Sequence, residues 1–337
     1  MMRRLLISVA AALLVPAAAR ADERLRLADS LPVGHFFAES GTRFFMDRVK
    51  EISGGKVAFE YYPAEQLGKA KDLLSLTRSG IVDVGYVVPS YTSDKMPLSA
   101  VAELPGPFVT ACQRTLAYDS LARTGPIDEA EFKPNGVHML FTLVAPAYQL
   151  FTASRRIEGL KSMAGLKVRT TGGAMDATVK HFDGIPVRMA APDLYQSLSR
   201  GTVDGLLFPY ASVVSYDLGA LTKFGTTGIN LGSAALTYVI GLDRWKRLSP
   251  DARAALEQAG QEATRHACEA ADRDSSRDQE TLRGKGVTLE PFPEADRTEL
   301  VTASDAIAKD WATSLDKRGK PGTAVLDAFR NALARTH

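Results

Sequence analysis

The chain has 337 residues, 45% hydrophobic and 24% charged, which suits a folded globular protein and excludes disorder, collagen and a small disulfide scaffold. The formal net charge is +2; with Arg3, Arg4 and Arg20 set aside as part of a leader, 38 basic residues face 39 acidic ones. Such a balance has no basic excess or stripe, so nucleic acid is not an expected partner.

Met1-Met2-Arg3-Arg4 is a cationic start, and Leu5 to Val15 is an apolar run of 11 residues. Pro16 breaks the run, and Ala19-Arg20-Ala21 supplies small residues where a signal peptidase reads. Residues 1–21 therefore read as a secretory signal peptide, too short for the ~20 apolar residues of a membrane span. Gly, Ala and Arg usage suggests a bacterium, so the expected place of the mature protein is the periplasm. Its length of about 316 residues suits two domains of ~150.

Along the chain, Leu25 to Asp29 alternates as a strand, and a loop runs from Ser30 to His35. Phe37, Gly41, Phe44, Phe45, Val49 and Ile52 fall on one helical stripe, which Gly54-Gly55 ends. Strands are expected over 56–62, 81–88, 137–144, 149–153, 166–170, 186–189, 203–208 and 236–242. Helices are expected over 72–79, 159–164, 173–182 and 193–199. Such alternation predicts an α/β fold with parallel strands. Ser249-Pro250-Asp251 is a helix start, with an N-cap serine, a proline in the first turn and an acid at the positive dipole end. The pattern behind it continues to about Arg283, ~45 Å of helix, long enough to cross two domains. At an offset of 121 residues, Asp72, Leu73, Gly80, Val82 and Asp83 match Asp193, Leu194, Gly201, Val203 and Asp204, an echo consistent with two lobes of related build.

No nucleophile elbow, zinc-protease helix, Walker A loop or dinucleotide fingerprint occurs. Ser314 and Lys317 have the spacing of a serine–lysine pair without its partner motifs. His35, His138, His181, His266 and His337 have no second ligand at metal spacing. No catalytic residue, metal or cofactor is therefore expected. Asp272 and Asp274 read as a solvated helix face. Cys112 and Cys268 are the only cysteines; an oxidising compartment would allow a bridge, but sequence leaves the pairing open.

Three stretches carry a resemblance. Gly159-Leu160-Lys161-Ser162-Met163-Ala164-Gly165-Leu166-Lys167-Val168-Arg169 is similar to the strand-arginine motif of the DctP-like substrate-binding proteins of TRAP transporters. Ser53-Gly54-Gly55-Lys56-Val57 with Tyr62-Pro63-Ala64-Glu65-Gln66-Leu67-Gly68 resembles the same family. So does Leu194-Tyr195 through Leu198, followed by Gly201-Thr202-Val203-Asp204-Gly205 and Pro209. Order and spacing fit from about Leu25 to Pro321. The resemblance implies an α/β, two-lobed periplasmic-binding-protein clamp with a long helix spanning both lobes. Residues 22–146 plus about 235–280 would form lobe I, and 147–234 plus about 281–337 lobe II. It also implies a small organic acid as ligand and a membrane pair of one small and one large subunit, driven by an ion gradient. The chain would act as a monomer or a weak dimer.

On that footing Arg169 is the expected carboxylate clamp, because a guanidinium offers planar paired donors. Gln149 holds the place of a second polar contact. Phe208, before Pro209, suggests stacking on a flat or apolar ligand, and Val88 stands where some members place a carboxylate. Tyr86, Tyr91, Tyr148 and Tyr210 sit at or near strand ends, either as cleft walls or as packing. His35 and Asp29 flank the first loop, and Asn230 is a further cleft candidate. One cation among neutral and aromatic neighbours fits an apolar or aromatic monocarboxylate, such as a 2-oxo acid. A C4-dicarboxylate or sugar acid is the alternative within the family, since a second buried carboxylate without a cation costs several kcal/mol. Hinge linkers are expected near 145–149 and 231–236. An importer of another type and a secreted enzyme are the rival classes.

Overall fold

The computed structural model describes residues 22–107 and 109–336; the expected signal peptide, residues 1–21, lies outside them. In the first part, β1 (Glu23–Ala28) leads through a π-helical turn at Ala38–Arg43 into α1 (Phe44–Ile52). β2 (Val57–Tyr62), α2 (Leu73–Arg78), β3 (Val84–Val87), α3 (Ala111–Arg123) and β4 (Val137–Val144) follow. The predicted stripe runs along the inner face of the π-helical turn and α1: Phe37, Gly41, Phe45 and Val49 are buried, while Phe44 stacks on His266 at 4.0 Å.

The chain then builds a second layer. It contains β5 (Gln149–Thr152), β6 (Lys167–Thr170), α4 (Gly173–His181), β7 (Ile185–Arg188), α5 (Leu194–Ser199), β8 (Gly205–Phe208), α6 (Tyr210–Ser215) and β9 (Phe224–Thr227). It returns through β10 (Ala235–Gly241) and α7 (Leu242–Arg247) to α8 (Pro250–Gly284), and closes with β11 (Thr288–Pro291), α9 (Glu294–Asp316) and α10 (Gly322–Leu333).

Two sheets result, in the orders β2-β1-β3-β10-β4 and β11-β9-β5-β8-β6-β7. Both are mixed: the expected parallel pairs are present, and antiparallel ones join them. β10 runs antiparallel to β3 and β4, and β5 antiparallel to β8 and β9. The reason is the crossing between layers: a strand that enters a sheet from the other lobe arrives from the opposite end. The internal echo is structural. In the first sheet the Asp83 carboxylate accepts from the backbone N–H of Arg26 at 2.8 Å; in the second, Asp204 accepts from Lys167 at 2.9 Å. Each aspartate thus ties the strand after its helix to the parallel neighbour.

α8 is capped by Ser249, whose side chain accepts from the Ala252 N–H, with Pro250 in the first turn. Its 35 residues span ~52 Å. It packs on α1, α3 and β4 in the first lobe and on α6 and β11 in the second. A Cβ on Gly260 would meet the Leu140 carbonyl oxygen at 2.2 Å, so the helix needs glycine where it crosses β4. Cys112 on α3 and Cys268 on α8 form a disulfide with Cα atoms 4.7 Å apart. Beside it, both oxygens of Asp272 accept from the Ala111 and Cys112 amides at 2.7 and 3.0 Å. Asp272 therefore caps α3 while staying on the exposed face expected of it. α10 packs on α3 and so rejoins the first lobe, although the sequence division left everything after about 281 in the second.

Two crossovers lie side by side between the sheets. The Ala145 N–H donates to the Ala234 carbonyl at 3.0 Å, and the Tyr148 N–H to the Gly232 carbonyl at 2.8 Å. Gly232 has φ +139°, and a Cβ there would lie 2.8 Å from the Glu103 carbonyl oxygen. These segments match the linkers expected near 145–149 and 231–236.

Candidate functional site

Arg169 is the third residue of β6, near the C-terminal end of a parallel strand, where ligands of open α/β sheets bind. Its side chain is fully buried. Nε donates to the Met189 carbonyl at 3.1 Å. Nη1 reaches the Leu207 carbonyl at 3.5 Å, and Nη2 the Tyr91 hydroxyl at 3.4 Å. Both terminal contacts are long for an N–H···O bond, so the outer edge of the guanidinium is weakly satisfied. Among the described residues no carboxylate lies within ion-pair distance of it. Its charge is met instead by the Phe208 ring, 5.0 Å from the guanidinium carbon. A buried cation so placed carries a desolvation penalty of several kcal/mol that an incoming anion would relieve.

Around it stands an aromatic wall. Tyr148 meets Phe208 edge-on at 5.8 Å, and Tyr216 lies tilted to Phe208 at the same separation. His35 lies 5.4 Å from Tyr216. Tyr86 packs on Tyr238 at 5.3 Å, and Val88 is buried beside it. Val88, Tyr86, His35, Tyr148 and Phe208 line one small cavity of about 20 Å³ between the lobes, together with Tyr91 and Thr171. The wall is uncharged. Burial pushes the His35 imidazole down to about 3, and its Nδ1 accepts from the Phe37 N–H at 3.2 Å, so it stands neutral. Burial also raises the phenols of Tyr86, Tyr148 and Tyr216.

The lobes are bonded to each other over this cavity. The Tyr91 hydroxyl accepts from the Ala191 N–H at 3.0 Å, and the Phe36 N–H donates to Ser215 Oγ at 3.3 Å. A wider groove of about 610 Å³ opens next to it, sharing Tyr91 and Thr171. Its other walls include charged side chains such as Lys69, Asp94, Arg188 and Asp193; Arg169 lines neither space and lies behind Phe208, which walls the small one. The small cavity is the candidate site because Phe208 and Tyr91, the two side chains against the Arg169 guanidinium, both line it; the groove adjoins it through Tyr91 and Thr171.

Two expected residues, Gln149 and Tyr210, are spent elsewhere, and Asn230 is spent only at its oxygen. Gln149 donates to the Ile229 carbonyl at 2.6 Å and accepts from Thr226 Oγ1 at 3.0 Å, which uses both ends of its amide. Tyr210 donates to the Thr226 carbonyl at 2.8 Å and packs edge-on against Phe151, inside the second lobe. Asn230 Oδ1 accepts from the Gly232 N–H at 3.2 Å, within the crossover. Asp29 accepts from the hydroxyls of Tyr61 and Tyr238, both at 2.8 Å, and from the Leu31 N–H at 3.0 Å. It braces the first loop; burial raises its pKa. Tyr216, Thr171 and Leu31 were not foreseen. They sit in segments without a motif, and only the closing of one lobe on the other brings them in. Among the described residues no group of His, Cys, Asp and Glu could hold a metal, and no helix is long and apolar enough to cross a membrane.

Comparison with known proteins bears on this arrangement. The family model described as bacterial extracellular solute-binding protein, family 7 matches residues 34–314. The outer membrane transporter protein TsaT of Comamonas testosteroni is 24% identical over 287 residues, 84% of each chain. A marine-metagenome TRAP solute binding protein specific for aromatic acid ligands, solved with 3-hydroxybenzoate, superposes with a TM-score of 0.87 at 21% identity, covering 94% of this chain and 99% of that one. A TRAP solute binding protein from Rhodoferax ferrireducens T118, solved with copurified benzoate, gives 0.86 at 23% identity, covering 93% and 98%.

Proposed function

This chain belongs to the bacterial extracellular solute-binding protein family 7, the DctP family of TRAP-transporter substrate-binding proteins, and on that premise we propose that its ligand is an aromatic or branched apolar monocarboxylate. One observation carries the proposal: Arg169 is a fully buried cation without a carboxylate partner among the described residues, against the Phe208 ring. A carboxylate takes the paired Nη donors, and the rest of the ligand lies among Phe208, Tyr148, Tyr216, Tyr86 and Val88. A second carboxylate would find no cation in this wall and is disfavoured. The two similar structures that hold benzoate and 3-hydroxybenzoate support the same class.

Binding requires the lobes to part. The cavity of about 20 Å³ is far below the ~300 Å³ of a small-molecule pocket. The paired crossovers near 145–149 and 231–236 are the hinge, and the Tyr91 and Phe36 bonds between lobes re-form on closure. The chain exports through residues 1–21, works in the periplasm as a monomer or weak dimer, and presents its closed form to a small and a large membrane subunit. The acid is delivered unchanged and not turned over.

Thermal unfolding of the exported protein against benzoate, mandelate, succinate and galacturonate tests this. At a hundredfold excess over Kd a ligand stabilises by ~2.7 kcal/mol. Shifts with benzoate or mandelate and none with succinate are expected. A shift with succinate or galacturonate alone overturns the pocket; recovery of a chemically altered acid overturns the binding role.

A further inference from the structure

Glu103 ends a 3₁₀ segment, Leu98–Glu103, in the first lobe and is 1% exposed. It points across to the second lobe. A Cβ on Gly173, the first residue of α4, would come within 2.9 Å of its Oε2. Its own carbonyl presses on Gly232 in the crossover. Among the described residues neither of its carboxylate oxygens has a hydrogen-bond partner, and Asn230 Nδ2 nearby is likewise unpartnered. A carboxylate cannot be held ionised and dry in this way without a heavy desolvation penalty.

The groups that face it come from several elements. Asp176 on α4 opposes the ionised form, and Arg169 on β6 and the Thr171 hydroxyl after it favour it. Asp176 is itself engaged by Arg188 and by Thr170 Oγ1. Tyr148 in the crossover and Tyr118 on α3 are phenols kept neutral by burial. Arg114, also on α3, is turned to the Ala102 and Leu104 carbonyls at 3.3 and 3.2 Å, and Glu131 is held by the Ser99 amide and hydroxyl at the far end of the segment. Tyr91, from the turn after β3, is bonded to Ala191 and Arg169. Burial outweighs all of these and holds the Glu103 carboxyl well above the usual range.

We propose that Glu103 is a proton-carrying member of the ligand site: a bound monocarboxylate and an ionised Glu103 compete for the one cation, so closure over the acid anion takes up a proton from solvent onto Glu103. With the lobes apart, water reaches the carboxyl and it ionises as an ordinary glutamate. On closure one cation cannot balance two buried anions, and the neutral acid is the form that fits. The complex then holds Arg169, the ligand carboxylate and a protonated Glu103, with no net charge among the three. The inference rests on the proposed ligand class.

Calorimetry of benzoate binding to the exported protein, at pH 7.5 in buffers of different ionisation heat, measures the protons exchanged. An uptake approaching one proton is expected, with affinity falling up to tenfold per pH unit as pH rises. Glu103→Gln, of the same size and permanently neutral, is expected to bind with no uptake and with pH-independent affinity; Glu103→Met, an apolar variant, is the second check should the glutamine form not fold. Zero uptake in the wild type, or the same uptake in either variant, overturns the inference and leaves the ligand class standing. Failure of both benzoate and mandelate to bind the wild type removes the ligand class and the inference together.

Discussion

Replacing Arg169 with methionine keeps an unbranched buried stem and removes the charge and all five N–H donors. In the wild type the guanidinium is fully buried, so a ligand carboxylate on its terminal nitrogens is screened little by water. Removing one partner of a buried ion pair costs about 3–5 kcal/mol. At about 1.4 kcal/mol per factor of ten, that weakens benzoate binding by roughly 10²- to 4 × 10³-fold. The assay is thermal unfolding with and without benzoate. At a hundredfold excess over its Kd the wild type gains ~2.7 kcal/mol, which is about 4 °C for a chain of about 300 residues. At the same concentration the variant gains under ~0.4 kcal/mol, a shift below about 1 °C. The ligand-free melting temperature should move only a few degrees. Loss of the bond to the Met189 carbonyl destabilises, while removal of an unpaired buried charge offsets it. A full 4 °C shift in the variant would refute the reasoning, because the carboxylate would then be held somewhere else.

The remaining predictions concern the scaffold and its protonation. The Cys112–Cys268 bridge closes a span of 156 residues, for which loop entropy gives about 5 kcal/mol. The double serine variant should lose about 2–5 kcal/mol in urea unfolding, and an unchanged midpoint would refute the chain-entropy account. Gly260→Ala should destabilise by about 1–3 kcal/mol through the Leu140 carbonyl, whereas Gly284→Ala, on the same helix with open space around it, should stabilise by about 0.5–1 kcal/mol. Equal effects at the two sites would show that α8 does not press on β4. Folding lowers the His35 pKa from 6.5 to about 3, so its contribution to stability is complete above pH 6.5 and is lost as pH falls toward 3. His35→Phe should therefore flatten the acid side of the stability profile. A His35 imidazole resonance titrating near pH 6.5 would contradict the burial argument.

Much of this fold was written in local pattern. The stripe from Phe37 to Ile52 and the Ser249 cap with Pro250 each became the element expected of them, because each depends on neighbours within a few turns. β4 reads as a near-continuous apolar run because helices cover it, and its bounds were legible to the residue. Strand direction was not legible. β10 has the same composition whether it enters a sheet parallel or antiparallel, and only the crossing between lobes decides that. The segments after Gly284 were left unassigned because their helices are polar on one side and take their order from packing. α10 could not be placed on α3 without the three-dimensional arrangement.

The site divides in the same way. The sequence by itself determined the family through its motifs, the strand that carries Arg169, and the scarcity of other cations near it. It could not determine which polar groups are free. Gln149 and Arg169 both stand in strands facing the gap between lobes, yet the amide is consumed by Ile229 and Thr226, about eighty residues away, while the guanidinium keeps its outer edge open. Glu103 lies in an unremarkable alanine-rich stretch, and nothing beside it in the chain marks it. Only the approach of α4 and the crossover strips it of water and partners. Local sequence specifies what a residue can donate or accept, within reach of its own turn or strand. Whether that capacity is spent or left facing a ligand depends on partners far along the chain, and the tertiary structure alone brings those partners near.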